Sequence, residues 1–136
     1  MSHLNLFVNK KEKTVSLRND KIAAQIRECF SFALIRGDFP LLPNHEEESK
    51  LPCPITLTHV NLSKDLRNAT IFFMPLGGTK KIESLRFFEL QTHHFKELMA
   101  KKMKLKFIPN IIFKFDNSFD YSDRISKLLM KTPEKQ

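Results

Sequence analysis

The chain is 136 residues long, 41% hydrophobic with 13 phenylalanines, and carries a net charge of +8. That length supports one domain with one core, and no run of about 20 apolar residues is present to span a bilayer as a helix. The opening Met-Ser-His-Leu-Asn-Leu-Phe-Val-Asn-Lys-Lys lacks the basic start, sustained apolar stretch and small-residue cleavage site of a secretory leader. The expectation is a cytoplasmic, reduced chain with Cys29 and Cys53 as free thiols.

The pI near 9.6 favours a polyanionic partner. The charge is unevenly placed: basic residues dominate 1–27 and 95–106, whereas Asp38 and Glu46-Glu47-Glu48 make an acidic loop. A solvated face is the plain alternative for any single lysine.

In chain order, residues 1–14 read as a loose basic arm. A first helix is predicted over 17–36, capped by Ser16 or Asn19, with Ile22, Ala23, Ile26, Phe30, Ala33 and Leu34 inward and Gly37 ending it. Residues 38–54 hold Pro40, Pro43, Pro52 and Pro54 and read as a loop within the domain. Ile55 to Ser63 alternates as a strand, but its apolar phase slips at His59, which predicts a bulge. Ser63 to Asn68 makes the turn and Ala69 to Met74 the returning antiparallel strand, stopped by Pro75 and Gly77-Gly78.

Lys81 to Leu90 follows as a helix with Ile82, Leu85 and Phe88 inward. The step from Leu90 to Phe95 breaks the 3.6-residue period, so a kink at Gln91-Thr92-His93 is predicted before a second helix. That helix carries Phe95, Leu98, Met99 and Met103 on one stripe. Pro109 ends any helix, and Ile111, Phe113 and Phe115 alternate as a last strand. Asn117-Ser118 caps a final helix with Ile125, Leu128 and Leu129 on its apolar face, and a frayed tail covers 131–136. The whole is an α+β layer, helices on one face of a three-stranded sheet, with the folded domain over 15–130.

No catalytic group or metal site emerges. His93 and His94 diverge on any helix, and no histidine or cysteine spacing suits a metal. Cys29 lies beside an apolar stripe, Gly77-Gly78 is too short to cradle a phosphate, and Asp65 and Asp116 are placed to cap turns. Phe72, Phe73, Phe107, Phe113 and Phe115 read as core, not as stacking platforms. What remains is a phosphate-led nucleic-acid surface. The start of the second helix at His94–Phe95 would offer free N–H groups, and Lys96, Lys101, Lys102, Lys104 and Lys106 face one acid, Glu97.

Two ordered motifs resemble the bacterial ribosome-binding factor A family: Val60-x-Leu62-Ser63-x-Asp65-Leu66-x-x-Ala69-x-Ile71, and Leu105-x-x-x-Pro109-x-Ile111-x-Phe113-x-x-Asp116. The helix from Arg18 to Ile35 fits as well, so the resemblance covers roughly 16–130. It implies a single KH-like (type II) domain of order α-β-β-α-kink-α-β with a C-terminal helix. Where family members carry an Ala-x-Gly kink, this chain has Gln91-Thr92-His93. It also implies a non-enzymatic monomer, without cofactor, small-molecule substrate or membrane, docking on the immature small ribosomal subunit through 16S rRNA. There it would assist late maturation and rRNA processing, with a role in growth in the cold. Arg18, Lys21, Lys96, Lys101, Lys102, Lys104 and Lys106 are the expected rRNA contacts. A KH-like module for other RNA, and a small enzyme using Cys53 or His93-His94, are the alternatives.

Overall fold

The computed structural model describes residues 10–118. Helix α1 spans Lys10–Arg36, strand β1 Ile55–Leu62 and strand β2 Asn68–Pro75. A 3-10 turn, Leu76–Gly78, leads to helix α2, Lys81–Lys102, and strand β3, Asn110–Phe115, closes the order. The C-terminal helix and tail expected beyond Ser118 lie outside the described residues.

The sheet has the order β1-β2-β3. Strands β1 and β2 pair antiparallel through the turn Ser63–Asn68, and β3 runs parallel to β2 from Asn68↔Asn110 to Phe73↔Phe115. A parallel neighbour needs a crossover, and α2 supplies it. The predicted bulge is present as a register shift between Leu57 and His59. It returns the apolar phase to the core, since Leu57 and Val60 are both buried. The unpaired Thr58 donates its hydroxyl to Asp116 Oδ2 at 2.6 Å, a tie from β1 to the end of β3.

Both helices cover the same face of this sheet. Ile26, Phe30 and Leu34 of α1 and Phe87, Phe88, Phe95 and Met99 of α2 are buried with Leu57, Val60, Ile71, Phe73 and Ile111 of the sheet. Phe113 is the hub: its ring stacks on Phe88 at 4.2 Å and 13°, and lies 5.2 Å from Phe95 and 6.3 Å from Phe30. Gly37, at φ 69°, ends α1 with its N–H donating to the Ala33 carbonyl, as the C′ position requires.

Several expectations are corrected. The first helix begins at Lys10, not 17, so residues 10–14 of the expected arm are helical and neither Ser16 nor Asn19 is a cap. Lys and Glu are good helix formers and prolong the helix beyond its apolar stripe. Asn19 instead donates from Nδ2 to the carbonyl of Ser63 at 3.3 Å. The kink at Gln91, Thr92 and His93 is absent, because α2 is continuous. Its buried positions are Ser84, Phe87, Phe88, Gln91, Phe95 and Met99, one stripe at helical spacing in which two members are polar. Leu90 is not the inward residue; Gln91 is. With no helix start at His94–Phe95, the free N–H groups expected there do not exist. Ile82 is 77% exposed and Phe107 72% exposed, so neither belongs to the core.

Gln91 explains its own burial. Its Nε2 donates to the carbonyls of Pro40 at 2.8 Å and Ser49 at 3.0 Å, fastening the Pro/Glu loop to α2. Ser49, also buried, accepts from the Leu42 N–H at 3.2 Å and donates to the Glu46 carbonyl at 2.8 Å. The loop is thus held by polar bonds to Gln91 together with the packing of Phe39 on Phe87 and Phe95.

Gln91→Ala is expected to cost about 1–3 kcal/mol by leaving these acceptors unpaired. Urea unfolding would measure the loss, and limited proteolysis should find new cleavage within 38–54. Asp116, whose carboxylate accepts from Ser118 and then Thr58, is held below the usual carboxylate pKa. Its stabilisation is therefore full above about pH 4 and fades as pH falls through the depressed folded value. Asp116→Ala should lower stability by about 1 kcal/mol at pH 7, with the gap to wild type closing below about pH 4 in urea titrations.

Candidate nucleic-acid interface

The topology gathers basic residues at one end of the sheet. The turn Ser63–Asn68 joins β1 to β2 there, β3 begins there at Asn110 beside Asn68, and α2 descends to it before the link Met103–Pro109. The Asn110 N–H donates to the Arg67 carbonyl at 2.8 Å, which locks the start of β3 onto the turn. Asn19 grips the same turn from α1. Arg18 and Lys21, three apart and so on one side of the helix, are both exposed beside it.

Of the lysines expected from the sequence, Lys101, Lys102, Lys104 and Lys106 are exposed, and Lys102 and Lys104 lie against the middle of α1, beside Gln25, Cys29 and Phe32. Lys101 and Lys102 form the last turn of α2, where the helix dipole favours cations. Lys96 stands apart: it is half-buried and lies about 7.5 Å of helix rise back from Lys101. None of these seven residues has a carboxylate within 4 Å among the described residues.

The turn adds two cations that motif and periodicity missed, Lys64 and Arg67. Their signal was available: two basic residues in a tight turn must face solvent. The turn is rigid. The Ser63 hydroxyl donates to Asp65 Oδ1 at 2.6 Å, the Arg67 N–H to the same oxygen at 3.1 Å, and the Asn68 N–H to Ser63 Oγ at 3.0 Å. The bonds from the Ser63 hydroxyl and then the Arg67 N–H hold the Asp65 carboxyl below its ordinary pKa. Asp65 therefore caps a turn, and Asp116 does likewise through the Ser118 N–H at 2.9 Å.

The opposite end is arranged differently. There Arg86 donates to Glu48 at 2.7 Å and lies 3.4 Å from Glu89, and Lys50 meets Glu47 at 2.9 Å. Glu47 and Glu48 of the loop are thus matched by cations, while at the basic end only Arg67 meets a carboxylate among the described residues, that of Asp65 at 3.9 Å. A shallow groove between the helices leads from the basic end past Lys102, Lys104, Cys29 and Phe32. Glu28 also lines it, so the groove wall is less positive than the tip.

The remaining sequence candidates are dispersed. His93 is exposed and pairs with Glu97 at 2.9 Å, while His94 lies edge-on to Phe39 at 5.5 Å. Cys53 is a half-buried free thiol in the Pro-rich loop. No group of three or more metal-ligating side chains occurs among the described residues, and no described helix is long and apolar enough to cross a membrane.

A mixed α+β layer presenting one cationic end defines a small basic binding protein. The family is then shown by comparison. A family model described as ribosome-binding factor A matches residues 18–129. A ribosome-binding factor A from Methylobacterium sp. (strain 4-46) is 34% identical over 116 residues, spanning 84% of this chain and 78% of that protein. One from Pelagibacter ubique (strain HTCC1062) is 29% identical over 120 residues, spanning 88% of this chain and 93% of the relative. The crystal structure of ribosome-binding factor A from Thermus thermophilus superposes with a TM-score of 0.57 at 15% identity, over 74% of this chain and 97% of its own, a likeness of fold. The chain belongs to the ribosome-binding factor A family.

Cys29 reports on the groove. Burial pushes its thiol pKa up, and the charge of Lys102 partly offsets this. In a Cys53→Ser background, iodoacetamide should label Cys29 more slowly at pH 7 than a free cysteine. Lys102→Glu should slow it about two- to threefold further by removing the offsetting charge; alkylation followed by mass spectrometry reads both.

Proposed function

We propose that this protein docks on the immature small ribosomal subunit through its basic end, contacting 16S rRNA phosphates. There it assists late maturation and rRNA processing, including growth in the cold. The single observation that supports this most is the segregation of charge: cations of α1, the β1–β2 turn, the last turn of α2 and the link to β3 are exposed, while Glu47 and Glu48 are paired with Lys50 and Arg86 at the other end of the sheet. Family membership supports a ribosome partner, and the distribution of charge supports this face as the one that meets it. Arg18, Lys21, Lys101, Lys102, Lys104 and Lys106 act as phosphate contacts, joined by Lys64 and Arg67, with Lys96 as a flanking contact. The protein acts in the cytoplasm as a monomeric, KH-like binding domain without cofactor or catalysis.

Phosphate-led docking explains why no deep pocket is required. Each contact releases condensed counterions, so affinity falls steeply with salt, and the contacts set orientation without reading sequence. Selection of the small subunit comes from the shape of the assembled RNA meeting the rigid turn and helix end together.

Lys101→Glu with Lys102→Glu is expected to weaken retention on small subunits in co-sedimentation at least about tenfold at moderate salt. The slope of log affinity against log salt should become shallower by about two. Because both residues are exposed, the thermal midpoint should stay within a few degrees of wild type. Normal retention of the double variant would remove these lysines from the interface. Competition by free RNA as strong as by subunits would favour a general KH-like RNA-binding module instead.

A further inference from the structure

We infer that Phe107 is a stacking platform for an unpaired RNA base, flanked by lysines that hold the same strand's phosphates. This rests on the docking reading above and deepens it by naming the form of RNA taken: a single-stranded segment, not a duplex.

The link between α2 and β3 has its apolar anchors elsewhere. Met103 and Pro109 are buried at its two ends and Leu105 is half-buried. With those points pinned, the residues between them that face outward are Lys104, Lys106, Phe107 and Ile108. Phe107 is 72% exposed, whereas Phe30, Phe88 and Phe95 pack around Phe113, and Ile108 beside Phe107 is 37% exposed. The ring does not stand alone. Lys106 Nζ lies 5.6 Å from its centroid, and Lys101, Lys102 and Lys104 are close in sequence on the same exposed tip.

That combination selects among partners. An isolated surface phenylalanine needs no explanation. A phenylalanine set among lysines that have no carboxylate within 4 Å among the described residues is poorly suited to an apolar protein groove, which would have to strip water from the ammonium groups. A nucleotide offers the complement in one unit: a flat π face for the ring and an anionic phosphate for the neighbouring lysines. Only an unstacked base presents that face, because a duplex keeps its bases within the stack. The platform thus distinguishes RNA that is still unpaired from RNA already closed into helix, a distinction a phosphate surface cannot make alone.

The chain contains no tryptophan, so Phe107→Trp introduces a single indole at the proposed contact. Its emission is followed on titrating a ten-nucleotide oligoadenylate, and the same strand annealed to its complement, with anisotropy of the labelled RNA reporting saturation. In parallel, wild type, Phe107→Ala and Phe107→Tyr are co-sedimented with immature small subunits. The expected result is quenching at saturation by the single strand and not by the duplex. Phe107→Ala should bind subunits about tenfold more weakly, with Phe107→Tyr close to wild type.

No binding of the oligoadenylate at low salt, unchanged emission at saturation, or equal quenching by the duplex would each overturn the stacking role. Weakened subunit binding by Phe107→Ala without quenching would also overturn it, and would assign the ring to a ribosomal protein. In all of these cases wild-type retention on subunits leaves the docking reading standing. Failure of wild type to sediment with any subunit at low salt would remove both.

Discussion

The stacking of Phe88 on Phe113 is the contact on which the remaining geometry depends. It joins the middle of α2 to the middle of β3, and the rings of Phe30, Phe73 and Phe95 close around the pair. Because β3 is parallel to β2, no tight turn can place it; the crossover helix must lie at the correct height and rotation on the sheet. Offset aromatic packing does this with geometric selectivity, since displaced rings lose both burial and their preferred orientation. The last turn of α2 and the link beyond it are positioned as a consequence. So are the lysines they carry.

Polar interactions do a different job here. Gln91 and Ser49 do not build the core; they attach a Pro-rich loop that also packs Phe39 and Leu51 against it. Gln91 Oε1 has no partner among the described residues, which raises the cost of keeping an amide at that depth. Its Nε2, bonded twice to loop carbonyls, is what justifies the position. The acidic side chains of that loop are then held at the end of the sheet remote from the Ser63–Asn68 turn, where Arg86 and Lys50 pair with them. Segregation of charge is therefore a result of tertiary attachment and not of local sequence alone.

At the basic end, rigidity and exposure coexist. The Ser63–Asp65–Asn68 bonds fix the turn, Asn19 fixes α1 against it, and Arg67 and Asn110 join it to β3. Lysines on such a frame lose little backbone freedom on meeting an anionic surface, so their charges are presented together. Phe107 adds an apolar face to the same tip.

Much of this was legible in the amino-acid order. The α1 stripe, the slip at His59, the turn at Ser63–Asn68 and the alternation of Ile111, Phe113 and Phe115 are local patterns, and each is where hydrophobic periodicity and turn chemistry place it. The lysines near the end of α2 were equally visible. Periodicity failed at Gln91, because a polar residue in a buried stripe looks like a break until the carbonyls of Pro40 and Ser49 are seen beneath it. It failed at Phe107, because alternation cannot tell a ring that reaches the core from one whose neighbours Met103 and Pro109 have already taken it. The sequence alone determined the three strands, the apolar stripe of α1 and that the chain is basic. The tertiary structure decided which residues share an end and that Phe107 stays outside, since both depend on the crossover that sets β3 beside β2.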